Sequence, residues 1–156
     1  VHSSYSPNTG LLPDFVVLQG GSYQPAAADF LEGANDGNYY YNSARTPWRI
    51  ATDYLMTGDT RALGQLEKMN AFIKSNTSQK PANIKAGYTL GGSPLVSYNS
   101  GAFYAPFGVS AMVSQNHQSW LNAVWTYTAN ASAEGYYEES IKLFSMLVMS
   151  GNWWTY

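Results

Sequence analysis

Apolar residues recur every three or four positions over several stretches of this chain, and short breaks rich in Gly, Pro and Asn separate them. The most regular series is Ala62, Leu63, Leu66, Met69, Phe72 and Ile73. It predicts a helix from about Arg61 to Lys74 with one buried face. Ahead of it, the spacing predicts a helix from Pro47 to Met56. Thr46 can cap that helix, and Pro47 suits its first position, where a missing N–H costs nothing. Gly58-Asp59 ends it, and Asp59 or Thr60 caps the next. So short a connection makes the two helices antiparallel neighbours. Three more helices are expected: from Pro106 to near Ser114, from about Gln118 to Tyr127, and from about Gly135 to Met149. The last should turn Ile141, Leu143, Phe144, Leu147 and Val148 inward.

The remaining segments lack this periodicity. Pro7, Gly10, Pro13, Gly20-Gly21 and Pro25 break residues 1–30 into irregular pieces, with Phe15 to Leu18 readable as a short strand or as buried loop. From Ala26 to Tyr41 the chain is polar and contains glycines, which reads as a functional loop with a helical turn at 26–31. Residues 75–104 form a long excursion, in which Tyr88–Leu90 and Leu95–Tyr98 can pair as a small hairpin. Helices alternating with loops make this an all-α chain of about five helices, in a single segment covering residues 1–156 without a clear internal repeat.

Composition narrows the function classes. Only 12% of residues are charged and the net charge is −2, with no basic run, which argues against nucleic acid. No apolar stretch reaches the length of a membrane span. The N-terminus lacks Met and the pattern of a signal peptide, so the chain reads as an excised mature segment. Cysteine is absent, which removes disulfides and thiolate metal sites. The two histidines, His2 and His117, are far apart, so a His-based zinc site is not expected. No serine sits in a nucleophile-elbow context and no glycine loop has a phosphate-binding pattern. No cofactor and no metal are therefore expected. The 13 Tyr and 5 Trp stand out against so few charges, because such rings combine a flat apolar face with a polar tip. That combination serves either a packed core or a carbohydrate cleft.

The run from Tyr39 to Tyr54 concentrates this chemistry. Three tyrosines precede a helix start, Arg45 sits at its mouth and Arg49 lies about one turn inside. Rings that stack on sugar faces, with fixed donors and acceptors beside them, are what a sugar-binding cleft needs. A core helix whose arginines pair with structural carboxylates fits the same pattern. Asp53 lies four residues beyond Arg49, a favourable pairing distance, and is read as structural. Carboxylates near aromatic or glycine-rich sequence are Glu32, Asp36, Asp53, Glu134, Glu138 and Glu139.

Several motifs, in order along the chain, resemble glycoside hydrolase family 8. They are Leu31-Glu32-Gly33, Asn35-Asp36-Gly37, the run from Tyr41-Asn42-Ser43 through Arg45-Thr46-Pro47-Trp48-Arg49 to Asp53, Tyr98-Asn99-Ser100-Gly101-Ala102-Phe103, and the stretch from Glu134-Gly135-Tyr136-Tyr137 to Gly151-Asn152-Trp153-Trp154. The family contains endoglucanases, lichenases, chitosanases and some xylanases. The resemblance covers only the C-terminal part of a family member. It implies an (α/α)6 barrel, of which this chain supplies about half, and a secreted inverting endo-glycosidase acting on a β-1,4-linked glucan, a mixed-linkage glucan or chitosan.

Inverting hydrolysis uses one carboxyl to protonate the leaving oxygen and a more distant one to deprotonate a water. In one subgroup of the family the base is an Asp just before the Arg-x-Pro-Trp-Arg helix. Here that position is Asn42, whose amide cannot take the proton. In the other subgroup a Glu on the preceding loop takes over, which implies Glu32 as base. Asn42 would then position the water or a sugar hydroxyl. Arg45 would hold the loop, or keep the base ionised, since a nearby cation lowers a carboxyl pKa. The resemblance also implies that Tyr41 contacts the sugar near the cleaved bond and that Tyr136 or Tyr137 stacks on product-side sugars. The family's general acid and its Ala-Ser/Thr-Asp-Ala/Gly-Asp motif belong to the N-terminal half, and neither is present. Glu134 matches no acid motif. Expected partners are therefore the polysaccharide and the missing half of the barrel, which would cover apolar surface that half a toroid leaves bare. The rival reading is a non-catalytic carbohydrate-binding fragment or scaffold.

Overall fold

The computed structural model describes residues 1–153; Trp154, which ends one of the motifs above, lies outside them, as does the side chain of His2. Five long helices carry the fold: α2 (Thr46–Thr57), α3 (Leu63–Asn76), α4 (Gly101–Ala111), α5 (Gln118–Asn130) and α6 (Tyr136–Met149), preceded by the one-turn α1 (His2–Tyr5). Four of the five expected helices begin and end close to where the spacing predicts.

The exception is α4, which begins five residues before Pro106. Ser100 caps it in extended conformation, its side chain accepting from Ala102 N at 3.3 Å, and Pro106 stands inside the helix. Every residue from Gly101 to Ala111 is buried. A helix apolar on all sides has no periodic stripe, because it has no solvent face. The proline therefore gives up one backbone hydrogen bond within a helix held by packing on every side.

α4 is the axis of the structure. α6 runs parallel to it: a Cβ at Gly101 would collide with the Lys142 side chain, and one at Gly108 with Met149 Sδ, so these glycines set the close approach. α5 returns antiparallel, with the rings of Tyr104 and Tyr127 edge to face at 4.9 Å. α2 flanks α4 on its other side, and Ala51, Leu66, Val109 and Val148 join α2, α3, α4 and α6 in a second small core. The main core contains Leu11, Tyr39, Met69, Ile73, Tyr88, Phe103, Phe107, Trp120 and Ile141. In consequence the starts of α2, α4 and α6 lie at one end.

Several local expectations are corrected. Thr46 does not cap α2: a 3-10 turn over Ser43–Arg45 runs into the helix, and the Thr46 hydroxyl donates back to Ser43 O at 2.7 Å. Residues 26–31 form turns without a helix. Within the first 30 residues Val16–Gln19 (β1) pairs antiparallel with Ser22–Pro25 (β2), across the Gly20-Gly21 turn. Around Tyr88 the proposed hairpin reduces to single bridges, with Tyr88 joined to Tyr39 on one side and Pro94 on the other. Leu143 and Phe144 are not inward: they are 57% and 41% exposed, because α6 faces α4 with Ile141, Lys142, Ser145 and Val148. Among the described residues Arg49 and Asp53 form no ion pair.

Candidate active site

The candidate residues converge where the loop before α2 meets the start of α6. The turn through residues 40–43 is organised by Asp14, which the motifs did not single out. Its Oδ1 accepts from Tyr40 N (2.9 Å), Ser43 N (2.8 Å) and the Ser43 hydroxyl (2.7 Å), and its Oδ2 accepts from Asn42 N at 3.1 Å. Successive backbone donors that a straight extended segment would send to both sides are thereby turned to one side.

Glu32 lies on the exposed loop between β2 and this turn. Asp36, only 3% exposed, holds that loop from inside. Its carboxylate accepts from Leu31 N (2.6 Å), Glu32 N (3.0 Å) and Gly33 N (3.0 Å). Burial pushes its pKa up, but backbone N–H groups of Leu31, Glu32, Gly33 and Phe30 more than compensate, and the carboxyl titrates below its ordinary value. A Cβ at Gly37 would strike Ala26 O, so only glycine lets the two ends of the loop close. Thus Asp36 and Gly37, which entered through the resemblance, serve the shape of the Glu32 loop.

The loop delivers Glu32 to Asn42. Asn42 Nδ2 donates to Glu32 Oε2 at 2.7 Å, and Arg45 Nη2 donates to Asn42 Oδ1 at 3.2 Å. Arg45 also donates from Nε to Asn42 O at 3.2 Å. The guanidinium therefore reaches Glu32 through the Asn42 amide, without a direct hydrogen bond. With an arginine on its oxygen and a carboxylate on its nitrogen, the amide has one orientation available. A pocket of about 260 Å³ opens here, lined by Asp14, Glu32, Asn35, Asp36, Tyr40 and Tyr41 among others. A larger groove of about 460 Å³, between α2 and the start of α3, contains none of these residues.

Aromatic rings wall the pocket toward α6. Tyr41 lies edge-on to both Tyr40 (4.9 Å) and Phe103 (5.0 Å). Tyr137 donates its hydroxyl to Tyr41 O at 2.7 Å, which ties the turn to α6. Burial, then the neighbouring Tyr98 hydroxyl, raises the pKa of Tyr41 well above its ordinary value. Tyr136, beside Tyr137, is 92% exposed and presents an open ring. Tyr39, first in the tyrosine run, is fully buried against Phe103 and belongs to the core.

Nearby carboxylates have other duties. Glu134 accepts from Gly101 N with both oxygens, at 3.0 and 3.1 Å, and from the Tyr104 hydroxyl at 3.0 Å, which places a negative charge at the start of α4. Glu139 accepts from Lys142 Nζ at 2.7 Å and from Glu134 N at 2.9 Å. Among the described residues no group of three His, Asp or Glu side chains converges on a metal position, and no helix is long and apolar enough to cross a membrane.

The family model for "Glycosyl hydrolases family 8" matches residues 1–151. The chain belongs to this family. Among curated relatives, a beta-glucanase of Niallia circulans is 69% identical over 156 residues, all of this chain and 38% of that protein. An endoglucanase of Bacillus sp. (strain KSM-330) is 39% identical over 153 residues, 97% of this chain and 32% of that protein. The apo structure of a beta-1,3-1,4-glucanase from Paenibacillus sp. X4 superposes with a TM-score of 0.99 at 68% identity, covering 100% of this chain and 41% of that one. The chain thus spans about a third to two fifths of the length of these family 8 proteins, and its helices are part of an (α/α)6 barrel.

Proposed function

We propose that this chain supplies the general base and one wall of the sugar cleft of an inverting endo-β-glucanase of family 8, whose general acid comes from the remainder of the barrel. The observation that carries this reading is the Arg45–Asn42–Glu32 relay. Glu32 is held by its loop at the mouth of a pocket, against an amide whose orientation is locked. Glu32 takes a proton from water, Asn42 holds that water or a sugar hydroxyl, and Arg45 fixes Asn42. Tyr41 borders the cleaved bond and Tyr136 offers its open face to a product-side sugar. Glu134 and Glu139 are engaged at the helix starts, so neither is assigned as acid.

A β-glucan with 1,3 and 1,4 linkages is the substrate best supported, since the beta-glucanase and beta-1,3-1,4-glucanase relatives are 69% and 68% identical to this chain. Such polymers are met outside the cell, which makes a secreted enzyme the natural setting. The test is to co-express the chain with the portion of the Niallia circulans beta-glucanase that it does not match, and assay mixed-linkage glucan. Hydrolysis is expected only from the pair, and Glu32→Gln should lower its kcat by roughly 10²–10⁴-fold with little change in KM. A near-normal kcat in that variant removes Glu32 from the role. Sugar binding without hydrolysis by the pair would favour a non-catalytic carbohydrate-binding module.

A further inference from the structure

Asn42 is the residue through which Arg45 reaches Glu32, and every polar backbone atom bordering its Cα is held by a side chain. The peptide unit before it donates from Asn42 N to Asp14 Oδ2 at 3.1 Å and accepts at Tyr41 O from the Tyr137 hydroxyl at 2.7 Å. The unit after it accepts at Asn42 O from Arg45 Nε at 3.2 Å and donates from Ser43 N to Asp14 Oδ1 at 2.8 Å. A peptide unit is planar, so a bond at each end fixes its orientation, and two fixed planes set the two torsions between them. Asn42 is thereby held at φ −80° and ψ −45°. Arg45 acts from three residues away and Asp14 from 28 and 29, whereas Tyr137 reaches across 96 residues from α6.

Tyr137 stands on a firm base. In the first turn of α6, Glu139 accepts from Glu134 N at 2.9 Å and from Lys142 Nζ at 2.7 Å, and the buried Lys142 also donates to Ser132 O at 3.3 Å. The Glu134 carboxylate in turn grips the start of α4 through Gly101 N. The Tyr137 ring is half-buried and tilted against Tyr41 at 6.1 Å, and its hydroxyl is committed to the Tyr41 carbonyl. Its neighbour Tyr136 differs on both counts, with a ring that is 92% exposed. We propose that Tyr137 is a positioning residue for hydrolysis: it acts through the Tyr41–Asn42 peptide, keeping the Asn42 amide aimed at Glu32, and does not itself stack on sugar. The two adjacent tyrosines thus divide the work, Tyr136 binding and Tyr137 holding. Without the hydroxyl the Tyr41–Asn42 peptide keeps a bond at one end only and can tilt. The 2.7 Å contact between Asn42 and Glu32 then loses its fixed origin. This inference rests on the reading of Glu32 and Asn42 as the pair that handles the water.

Tyr137→Phe keeps the ring and removes only the hydroxyl. In the chain paired with the unmatched portion of the Niallia circulans beta-glucanase, its kcat on mixed-linkage glucan should fall by roughly tenfold or more, because small misplacements are costly. KM should stay within about twofold, whereas loss of a sugar contact would raise KM at unchanged kcat. Added to Glu32→Gln, the same substitution should change kcat by less than about twofold, since the group it positions is already gone. A loss carried by the fold in general would appear undiminished in that background. In the 156-residue chain, NMR amide exchange of Asn42 should quicken by about two- to tenfold in Tyr137→Phe, while Leu66 and Met69 of α3 stay unchanged. A near-normal kcat, a rise in KM alone, an equal loss in the Glu32→Gln background or an unaltered Asn42 exchange each overturns the positioning role and leaves the glycosidase reading standing. An inactive wild-type pair, or a near-normal kcat in Glu32→Gln, overturns that reading and this inference with it.

Discussion

Removing the Asp14 carboxylate should unmake the turn that presents Asn42. In Asp14→Ala the backbone N–H groups of Asn42 and Ser43 lose the one acceptor each has, at 3.1 and 2.8 Å, whereas Tyr40 N retains the Ser43 hydroxyl at 3.0 Å. Each unpaired donor costs about 1–3 kcal/mol, and the half-buried setting lets water recover part of it, so the net loss is about 2–5 kcal/mol. For a chain of this size that corresponds to roughly 5–15 °C in Tm. Asp14→Asn should be milder. Its amide oxygen can keep the three donors of Oδ1, but its amide nitrogen then faces the Asn42 N–H, donor against donor. Far-UV circular dichroism melts give the stability, and chymotryptic cleavage after Tyr40 or Tyr41 reports the turn itself. The graded order wild type, Asn, Ala is expected in both. An Ala variant that melts within 2 °C of wild type, or resists cleavage equally well, would refute the assignment of Asp14 as organiser of this turn.

Asn42→Asp combined with Glu32→Gln places a carboxylate on the other side of the same hydrogen bond, beside Arg45. We expect the double variant to recover part of the activity that Glu32→Gln removes from the paired enzyme, by initial rates on mixed-linkage glucan; equal inactivity would show that the two positions do not serve one water. The Glu32 loop should respond to acid through Asp36. Its folded pKa lies below the ordinary 3.8, so its contribution is complete above about pH 4 and is lost as the pH falls through the lower folded value. Amide-exchange protection of Leu31, Glu32 and Gly33 should therefore persist to about pH 4 and be lost only as the pH falls further, through the lower folded value, and loss already at pH 5–6 would contradict that sign.

What the sequence made legible depended on whether a signal was local. Helix α3 was readable because Leu66, Met69 and Ile73 are buried at helical spacing along one side, Leu66 in the smaller core and Met69 and Ile73 in the main one. The start of α4 was not, since a helix buried on all sides carries no stripe, and Pro106 mimics a first-turn proline while standing five residues inside. Glu32, Asn42 and Arg45 were picked out by motif wording, and the structure brings them into hydrogen-bond contact. Asp14 was missed because it acts 26–29 residues away, and no spacing rule connects it with Tyr40 or Ser43. The pairing of Arg49 with Asp53 failed for the opposite reason. Favourable spacing on a helix permits a contact but supplies only a few tenths of a kcal/mol, too little to hold two long side chains together.

Helix α6 shows how a segment can be read correctly as a helix and wrongly as to its buried face. Its apolar residues Ile141, Leu143, Phe144, Leu147 and Val148 cover more than one side. α4 buries Ile141 and Val148, together with Lys142 and Ser145, and leaves Leu143 and Phe144 outward. Phe144 then stacks on Trp48 of α2 at 5.7 Å with nearly parallel rings, and Trp153 closes edge-on against both. Phe144 and Trp153 keep 41% and 39% of their surface exposed while packing on one another. Phe144 therefore packs sideways, on Trp48 and Trp153, rather than inward on α4. The periodicity thus reported two packing directions at once, one onto α4 and one onto Trp48 of α2.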